Sequence, residues 1–260
     1  MRAIVLVALA AVSAPAYAHD YWLEPETFRL SPGERLQVHL FVGDRLDREA
    51  RTFDPARTTR LAYVDAAGSR DLLRIPRILG RRALVLAPGE PGTAAILLDR
   101  AFASITMTGE EFSDYLEHEG LEGVAVPDTA EVRERYARCL KTLVQVGNRP
   151  SGDLHARPFG QKLEIIFEEN PYTLASGDSL GMVLRFDGEP LGRHRWMLLR
   201  ESPEGEVSSA AGRTDASGRG TVRIEGPGLH VVRALHLLPC AGCENADWEI
   251  WWASVSFGVR

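Results

Sequence analysis

Residues 36–42 read LQVHLFV, and this stretch indicates the fold class. Its four aliphatic side chains fall on every second position and therefore share one face of an extended chain. An alternation with period two is typical of a β-strand that buries one of its faces. Proline–glycine before the stretch and glycine–aspartate after it are turn signals, which bound the strand at both ends.

Short apolar runs separated by turns continue along the rest of the chain. They recur at 61–64, 83–87, 93–98, 162–168, 179–186, 194–200, 220–224, 228–238 and 251–259. This spacing is typical of β-sandwiches and not of alternating strand–helix units. Residues 148–160 (NRPSGDLHARPFG) lose all periodicity and predict a linker. We therefore predict a mainly β chain of two β-sandwich domains. An N-terminal β-rich domain spans residues 19–147, and an immunoglobulin-like sandwich spans residues 161–260.

Two short helices are predicted within the first domain. Thr108 and Glu111 form a capping box, in which each side chain satisfies a backbone N–H of the other residue, and Gly120 supplies a C-terminal stop. A second helix is predicted to begin at Asp128, because an apolar stripe follows at helical spacing. The stripe consists of Val132, Tyr136, Cys139, Leu140 and Leu143.

Residues 1–18 have the composition of a secretory signal peptide. Arg2 precedes the apolar run AIVLVALAAV (residues 3–12), and Ala16 and Ala18 flank Tyr17 in the small-x-small pattern of a cleavage site. The run is shorter than the roughly 20 apolar residues that span a bilayer, and no later stretch reaches that length. We interpret the chain as a periplasmic protein that does not insert into the membrane after cleavage. Its mature form would begin at His19 if cleavage follows Ala18; the alternative, cleavage after Ala16, would leave Tyr17 as the first residue.

Five segments carry a family resemblance. They are AHDYWLEP (18–25), YLEHEGL (115–121), RYARCLKTLVQVG (135–147), LEIIFEENPYTLASGD (163–178) and TDASGRG (214–220). In this order the chain resembles a family of bacterial periplasmic proteins of unknown function, some of which are associated with nickel and cobalt uptake. The resemblance implies a protein that works beside a metal transporter. It implies no particular ligands, so a site must be argued from the residues.

His19 offers the strongest local chemistry. The α-amine and the imidazole of a first residue can chelate one ion, and Cu(II) and Ni(II) suit nitrogen ligands. The alternative is that His19 merely follows the cleavage site. Another amino-terminal copper and nickel motif needs histidine at the third mature position, which is Tyr21 here. The site therefore needs a distant ligand, and we predict His236, with a core histidine as the alternative interpretation.

Three cysteines are present, two of them close together. Cys240 and Cys243 lie in PCAGC, and in an oxidising compartment such a pair most often forms a disulfide. A thiolate metal pair or a redox pair are the alternatives. Cys139 lies on the apolar side of the second predicted helix and is expected to be a buried thiol.

Composition and motifs narrow the function classes. The formal charge of −6 gives no basic footprint for nucleic acid. The common hydrolase, zinc-protease and nucleotide-loop motifs are missing from the sequence, which favours a non-enzymatic protein. The leading hypothesis is a periplasmic protein that binds a divalent transition metal (nickel, cobalt or copper) and assists a membrane importer. The alternatives are a cell-envelope scaffolding or partner-binding module without metal, and a copper oxidase with an N-terminal histidine brace.

Overall fold

The strand that LQVHLFV predicts lies within β3 of a computed structural model that describes residues 19–75, 82–126 and 129–260. The predicted signal peptide and Asp128 lie outside the described residues. Within them the chain is mainly β, with one α-helix, α1 (Gly109–Glu119). The strands in chain order are β1 (Asp20–Pro25), β2 (Arg29–Leu30), β3 (Leu36–Gly43), β4 (Glu49–Arg51), β5 (Thr58–Asp65), β6 (Gly68–Asp71), β7 (Ala83–Leu86), β8 (Gly92–Met107), β9 (Val132–Val146), β10 (Leu163–Phe167), β11 (Ser179–Phe186), β12 (Glu189–Pro190), β13 (Arg195–Glu201), β14 (Val207–Arg213), β15 (Arg219–Arg223), β16 (Gly228–Pro239) and β17 (Trp248–Val259).

Three sheets are packed in layers, which confirms the predicted sandwich-type packing. A large sheet has the order β14-β13-β16-β17-β9-β8-β5-β6, with β2 beside β9. One small sheet is β1-β3-β4 with β7 on β3, and the other is β10-β11-β12 with β15 on β11. Even-numbered residues of β9, such as Leu140 and Val144, pack against the first small sheet. Odd-numbered ones, such as Cys139 and Leu143, pack against the second. The small sheets therefore cover opposite faces of the large sheet.

Helix α1 has the predicted signals at both ends. The Thr108 hydroxyl accepts from the backbone N–H of Glu111, whose carboxylate accepts from the N–H of Thr108. Gly120 ends the helix in the left-handed conformation, at φ 64°. The helix buries Phe112, Tyr115 and Leu116 on the face that meets the large sheet. No helix of the described residues has both the length and the apolarity to cross a membrane.

The second predicted helix is wrong, because residues 132–146 form the central strand β9. This strand pairs with β8 on one side and β17 on the other, and from residue 137 onward all its side chains are buried. A strand covered on both faces has a nearly continuous apolar run, which helical spacing can match by chance. Tertiary pairing thus overrides the local pattern.

The two predicted domains share one sheet. Strand β17 of the second half pairs in parallel with β9 of the first half, from Trp248 opposite Glu134 to Ser256 opposite Thr142. The predicted linker, 148–160, also packs on the core, where Leu154 is buried. Loss of periodicity marks irregular structure, but it does not show whether the flanking strands belong to separate sheets.

The burial of His230 predicts a contribution to the folding stability that is lost in acid. Its fully buried ring is stacked on Phe257, and burial lowers the His230 pKa to about 4. The unfolded chain therefore binds more protons between about pH 6.5 and 4, so this contribution is lost as the pH falls through that window. Relative to His230→Gln, the wild type should lose about 2–3 kcal/mol between pH 7.5 and 4.5. Urea unfolding of both proteins at both pH values measures this, and a difference that is independent of pH would contradict it.

Candidate functional site

A cleft of about 190 Å³ opens between β1, the end of β8, α1 and the start of β9. Apolar side chains of Val42, Ile105 and Met107 line part of it. The polar part of the lining consists of His19, Tyr21, Arg51, Tyr115, Glu134, Tyr136 and Arg138, and Arg51 forms an ion pair with Glu49. Glu134, Tyr136 and Arg138 share one face of β9, since every second residue of a strand points the same way.

Glu134 is the most unusual group in the cleft. It is 1% exposed, and within the described residues neither of its carboxylate oxygens has a hydrogen-bond partner. Burial raises the Glu134 pKa to about 7, while the charge of Arg138 acts in the opposite direction. A buried carboxylate without partners is costly, because it loses its hydration and gains nothing in exchange. A cation or a hydrogen-bond donor in the cleft would compensate this cost.

Tyr115 adds a second buried polar group beside this carboxylate. Its hydroxyl lies on α1, buried and without a hydrogen-bond partner in the described part of the chain. Burial and the negative charge of Glu134 raise the Tyr115 pKa, so the phenol stays protonated at neutral pH. A phenol in this state can donate to a ligand or accept from one.

Arg138 is a buried cation enclosed by aromatic rings. Its guanidinium lies 3.9 Å from the ring centroid of Tyr21 and 4.6 Å from that of Tyr136. One of its nitrogens lies 3.5 Å from the carbonyl oxygen of His19, and burial lowers the Arg138 pKa. No carboxylate among the described residues forms an ion pair with it.

His19 lies at the open side of the cleft, half exposed. Its Nδ1 is 2.9 Å from a carboxylate oxygen of Asp44. The next residue, Asp20, is buried and forms a 2.7 Å ion pair with Arg233, which also binds Glu119 of α1 at 2.7 Å. Burial raises the Asp20 pKa to about 6, although Arg233 opposes this. The ion pairs hold the first strand against α1 and so fix the backbone beside His19.

The structure does not bring His19 and His236 together. On β16, Leu235 packs in the cluster that contains Tyr115 of the cleft, so its neighbour His236 points to the opposite face of the sheet. There its ring centroid is 5.0 Å from that of His194, and burial lowers the His236 pKa to about 4. The two predicted ligands therefore lie on opposite sides of the large sheet.

Cys240 and Cys243 are joined by a disulfide, with their Cα atoms 5.5 Å apart. Together with Glu249 they form the one group of three potential metal ligands found among the described side chains. Sulfur in a disulfide is not a thiolate, and the Glu249 carboxylate already binds Arg135 and accepts from the indole N–H of Trp251. This group is therefore a loop staple. Cys139 is buried, and burial raises its pKa to about 12.

Sequence reasoning missed Glu134, Tyr115 and Arg138. Glu134 and Arg138 stand four residues apart, and on the predicted helix they would form an ordinary solvent-exposed pair. The available signal was two charges of opposite sign inside RERYARCLKTLVQV (133–146), a run that becomes continuously apolar after them. On a central strand those charges are buried.

The chain matches a family model and, weakly, several solved structures. None of the curated proteins matches it. Among solved structures, the D0-D1 domain of intimin is 13% identical, with a TM-score of 0.23 over 91% of this chain and 97% of that one. A two-domain fibronectin type III segment from chicken tenascin is 11% identical, with a TM-score of 0.21 over 93% and 99%. Likenesses this weak transfer no functional property. A family model described as Domain of unknown function (DUF4198) matches residues 16–237, and the chain therefore belongs to that family.

Proposed function

We propose that this protein is a periplasmic carrier that binds a divalent transition-metal ion in the cleft beside His19 and presents it to a membrane importer. The observation that carries the proposal is the buried, unpartnered carboxylate of Glu134 in the same cleft as His19. A divalent cation would compensate the charge that makes this carboxylate costly to bury.

The donor set fits nickel, cobalt or copper. After cleavage at the predicted bond, His19 would supply an α-amine and an imidazole nitrogen from one residue. Borderline divalent ions favour such nitrogen ligands, and a carboxylate adds negative charge. Glu134 takes the place of the predicted ligand His236, which lies on the other face of the sheet. The resemblance to periplasmic proteins associated with nickel and cobalt uptake favours those two metals and an importer as the partner.

The groups around Glu134, the second proposed ligand, favour its role in binding the ion. The hydroxyl of Tyr115 lies near Glu134 and is free to bind the second carboxylate oxygen or a metal-bound water. Ion pairs of Arg233 with Asp20 and Glu119 hold the start of β1, the strand that directly follows His19. Ligands on rigid elements are placed more accurately than ligands on loops.

The test compares the mature protein that begins at His19 with a form that has one extra glycine before it. The extra residue converts the amine into an amide, a poor ligand, and keeps the imidazole ring. Calorimetric titration with Ni(II) at pH 7.5 should show about tenfold weaker binding, close to 1.4 kcal/mol, in the extended form. Glu134→Gln should cause a loss of the same size, because it removes the charge and keeps the shape.

Two control variants separate this site from other places where nickel could bind. His236→Gln and the exposed Glu117→Gln on α1 should both leave the affinity within about twofold of the wild type. Equal affinity of the normal and extended forms would show that the amine is not a ligand. Absence of binding in every form would favour the alternative, a cell-envelope scaffolding or partner-binding protein.

A further inference from the structure

The cleft is larger than a metal ion requires. Its volume is about 190 Å³. An apolar protein cavity of about 150 Å³ already holds a benzene molecule. A single ion on His19 and Glu134 would leave most of this space to water, although aliphatic and aromatic side chains line much of it. The size and lining therefore suit a small organic molecule that enters with the ion.

The guanidinium of Arg138 indicates which chemical group such a molecule would carry. Its Nε is buried without a hydrogen-bond partner, and it forms no ion pair with any described carboxylate. The Tyr21 and Tyr136 rings lie over its guanidinium and restrict how it can turn, while the edge of a guanidinium carries its N–H donors. Such an edge binds carboxylates with two parallel hydrogen bonds, and a fixed orientation strengthens that preference.

The two unpaired charges are separated along the cleft. Glu134 and Arg138 are four residues apart on one face of β9, which places their Cα atoms roughly 13 Å apart. Arg138 lies against the backbone of His19, since one of its nitrogens is 3.5 Å from the His19 carbonyl oxygen. An ion bound at His19 would therefore have a fixed cation beside it, and an anionic group attached to the ion can reach that cation.

We infer that the cargo is a complex in which a small carboxylate-bearing chelator already holds the metal ion: His19 and Glu134 bind the ion, and Arg138 binds the carboxylate of the chelator. The inference rests on the proposed function, and it adds the chemical class of the cargo. It also gives a role to a buried arginine that forms no ion pair with any described carboxylate.

Histidine and histamine provide a matched pair of chelators, because they differ only in the carboxylate. The mature wild-type protein is titrated calorimetrically with Ni(II) alone, with the one-to-one Ni(II)–histidine complex and with the one-to-one Ni(II)–histamine complex. The histidine complex should bind at least about tenfold more tightly than the histamine complex. Histidine without metal should bind far more weakly than its nickel complex.

Arg138 variants then locate the carboxylate. Arg138→Gln should abolish the preference for histidine over histamine and leave the affinity for Ni(II) alone within about threefold. Arg138→Lys, which keeps the charge but not the two-pronged donor, should give an intermediate preference. The exposed Arg74→Gln, away from the cleft, should bind all three ligands as the wild type does. If the far-ultraviolet circular dichroism shows that Arg138→Gln is unfolded, the comparison of the two chelators on the wild type decides alone.

The outcomes separate this inference from the proposed function. If Ni(II) alone binds and the two complexes bind with equal affinity, the inference about the chelator is overturned. The proposed metal site would remain. Histidine that binds as tightly without nickel as with it would also overturn the inference. Failure of Ni(II) and of both complexes to bind would overturn the inference and the proposed function together.

Discussion

Arg233→Met should lower the free energy of unfolding by about 3–5 kcal/mol at pH 7. The guanidinium forms ion pairs of 2.7 Å with both Asp20 and Glu119, and all three side chains are nearly inaccessible to water. Removing it leaves two buried carboxylates that repel each other. Burial already raises the Asp20 pKa to about 6 with Arg233 in place, so the loss of Arg233 would raise it further. Urea denaturation followed by tryptophan fluorescence measures the change.

Two comparisons test whether the burial of the two carboxylates causes the predicted loss of stability. Asp20→Asn and Glu119→Gln, added to Arg233→Met, should recover a large part of the loss, because no uncompensated charge then remains. Arg74→Met, which removes the partner of Asp71 in an exposed ion pair, should change the stability by less than about 1 kcal/mol. An Arg233→Met protein within about 1 kcal/mol of the wild type would contradict the interpretation.

Lys141→Met should cause a loss of similar size, about 3–5 kcal/mol. The Lys141 ammonium lies 3.6 Å from the Glu164 carboxylate and donates to the carbonyl oxygen of Ile165 at 2.7 Å. Both charged side chains are buried, and Glu164 also accepts the backbone N–H groups of Phe159 and Gly160. The substitution thus leaves a buried carboxylate with its amide donors but without its counter-charge. Denaturant unfolding and calorimetry both report the loss.

The other lysine of the chain is a natural control. Lys162 lies 2.9 Å from Asp187, but both side chains are substantially exposed. Lys162→Met should therefore change the stability by less than about 1 kcal/mol. The double variant Lys141→Met/Glu164→Gln should be more stable than Lys141→Met alone. A double variant as unstable as the single one would mean that packing of the lysine stem, and not its charge, is responsible.

Some elements could be predicted because their signals are local. The capping box at Thr108 and the stop at Gly120 define α1 within the chain segment that forms it. The alternation in residues 36–42 likewise identifies β3, whose even-numbered residues Leu36 to Val42 are buried. Strand β14 (Val207–Arg213) escaped prediction because, as an edge strand with small and polar residues, it has no apolar face to detect.

The candidate site was predictable only in part. The cleavage pattern predicts that His19 is the first residue of the mature chain. The proposed chemistry depends on that position, so His19 can be selected from the sequence alone. Glu134 and Arg138 become buried only when β9 is enclosed by β8 and β17, and no local pattern records that distant pairing. The place of His236 on the last hairpin suggests a ligand, but alternation along β16 turns its side chain to the face away from the cleft.

The parallel pairing of β9 with β17 also determines the stage of folding at which the cleft can form. Arg133 and Asp247, at the start of this pairing, are 114 residues apart, and the Ser254 hydroxyl binds the carbonyl oxygen of Tyr21, 233 residues away. Contacts this distant in sequence require the closure of long loops, which slows folding. On the proposed periplasmic location, a chain exported with its amino end first would release nearly all its residues before β1 and β9 meet their partner. On the proposed function, metal capture is therefore a late event in maturation, and a partly folded chain offers the ion no complete site.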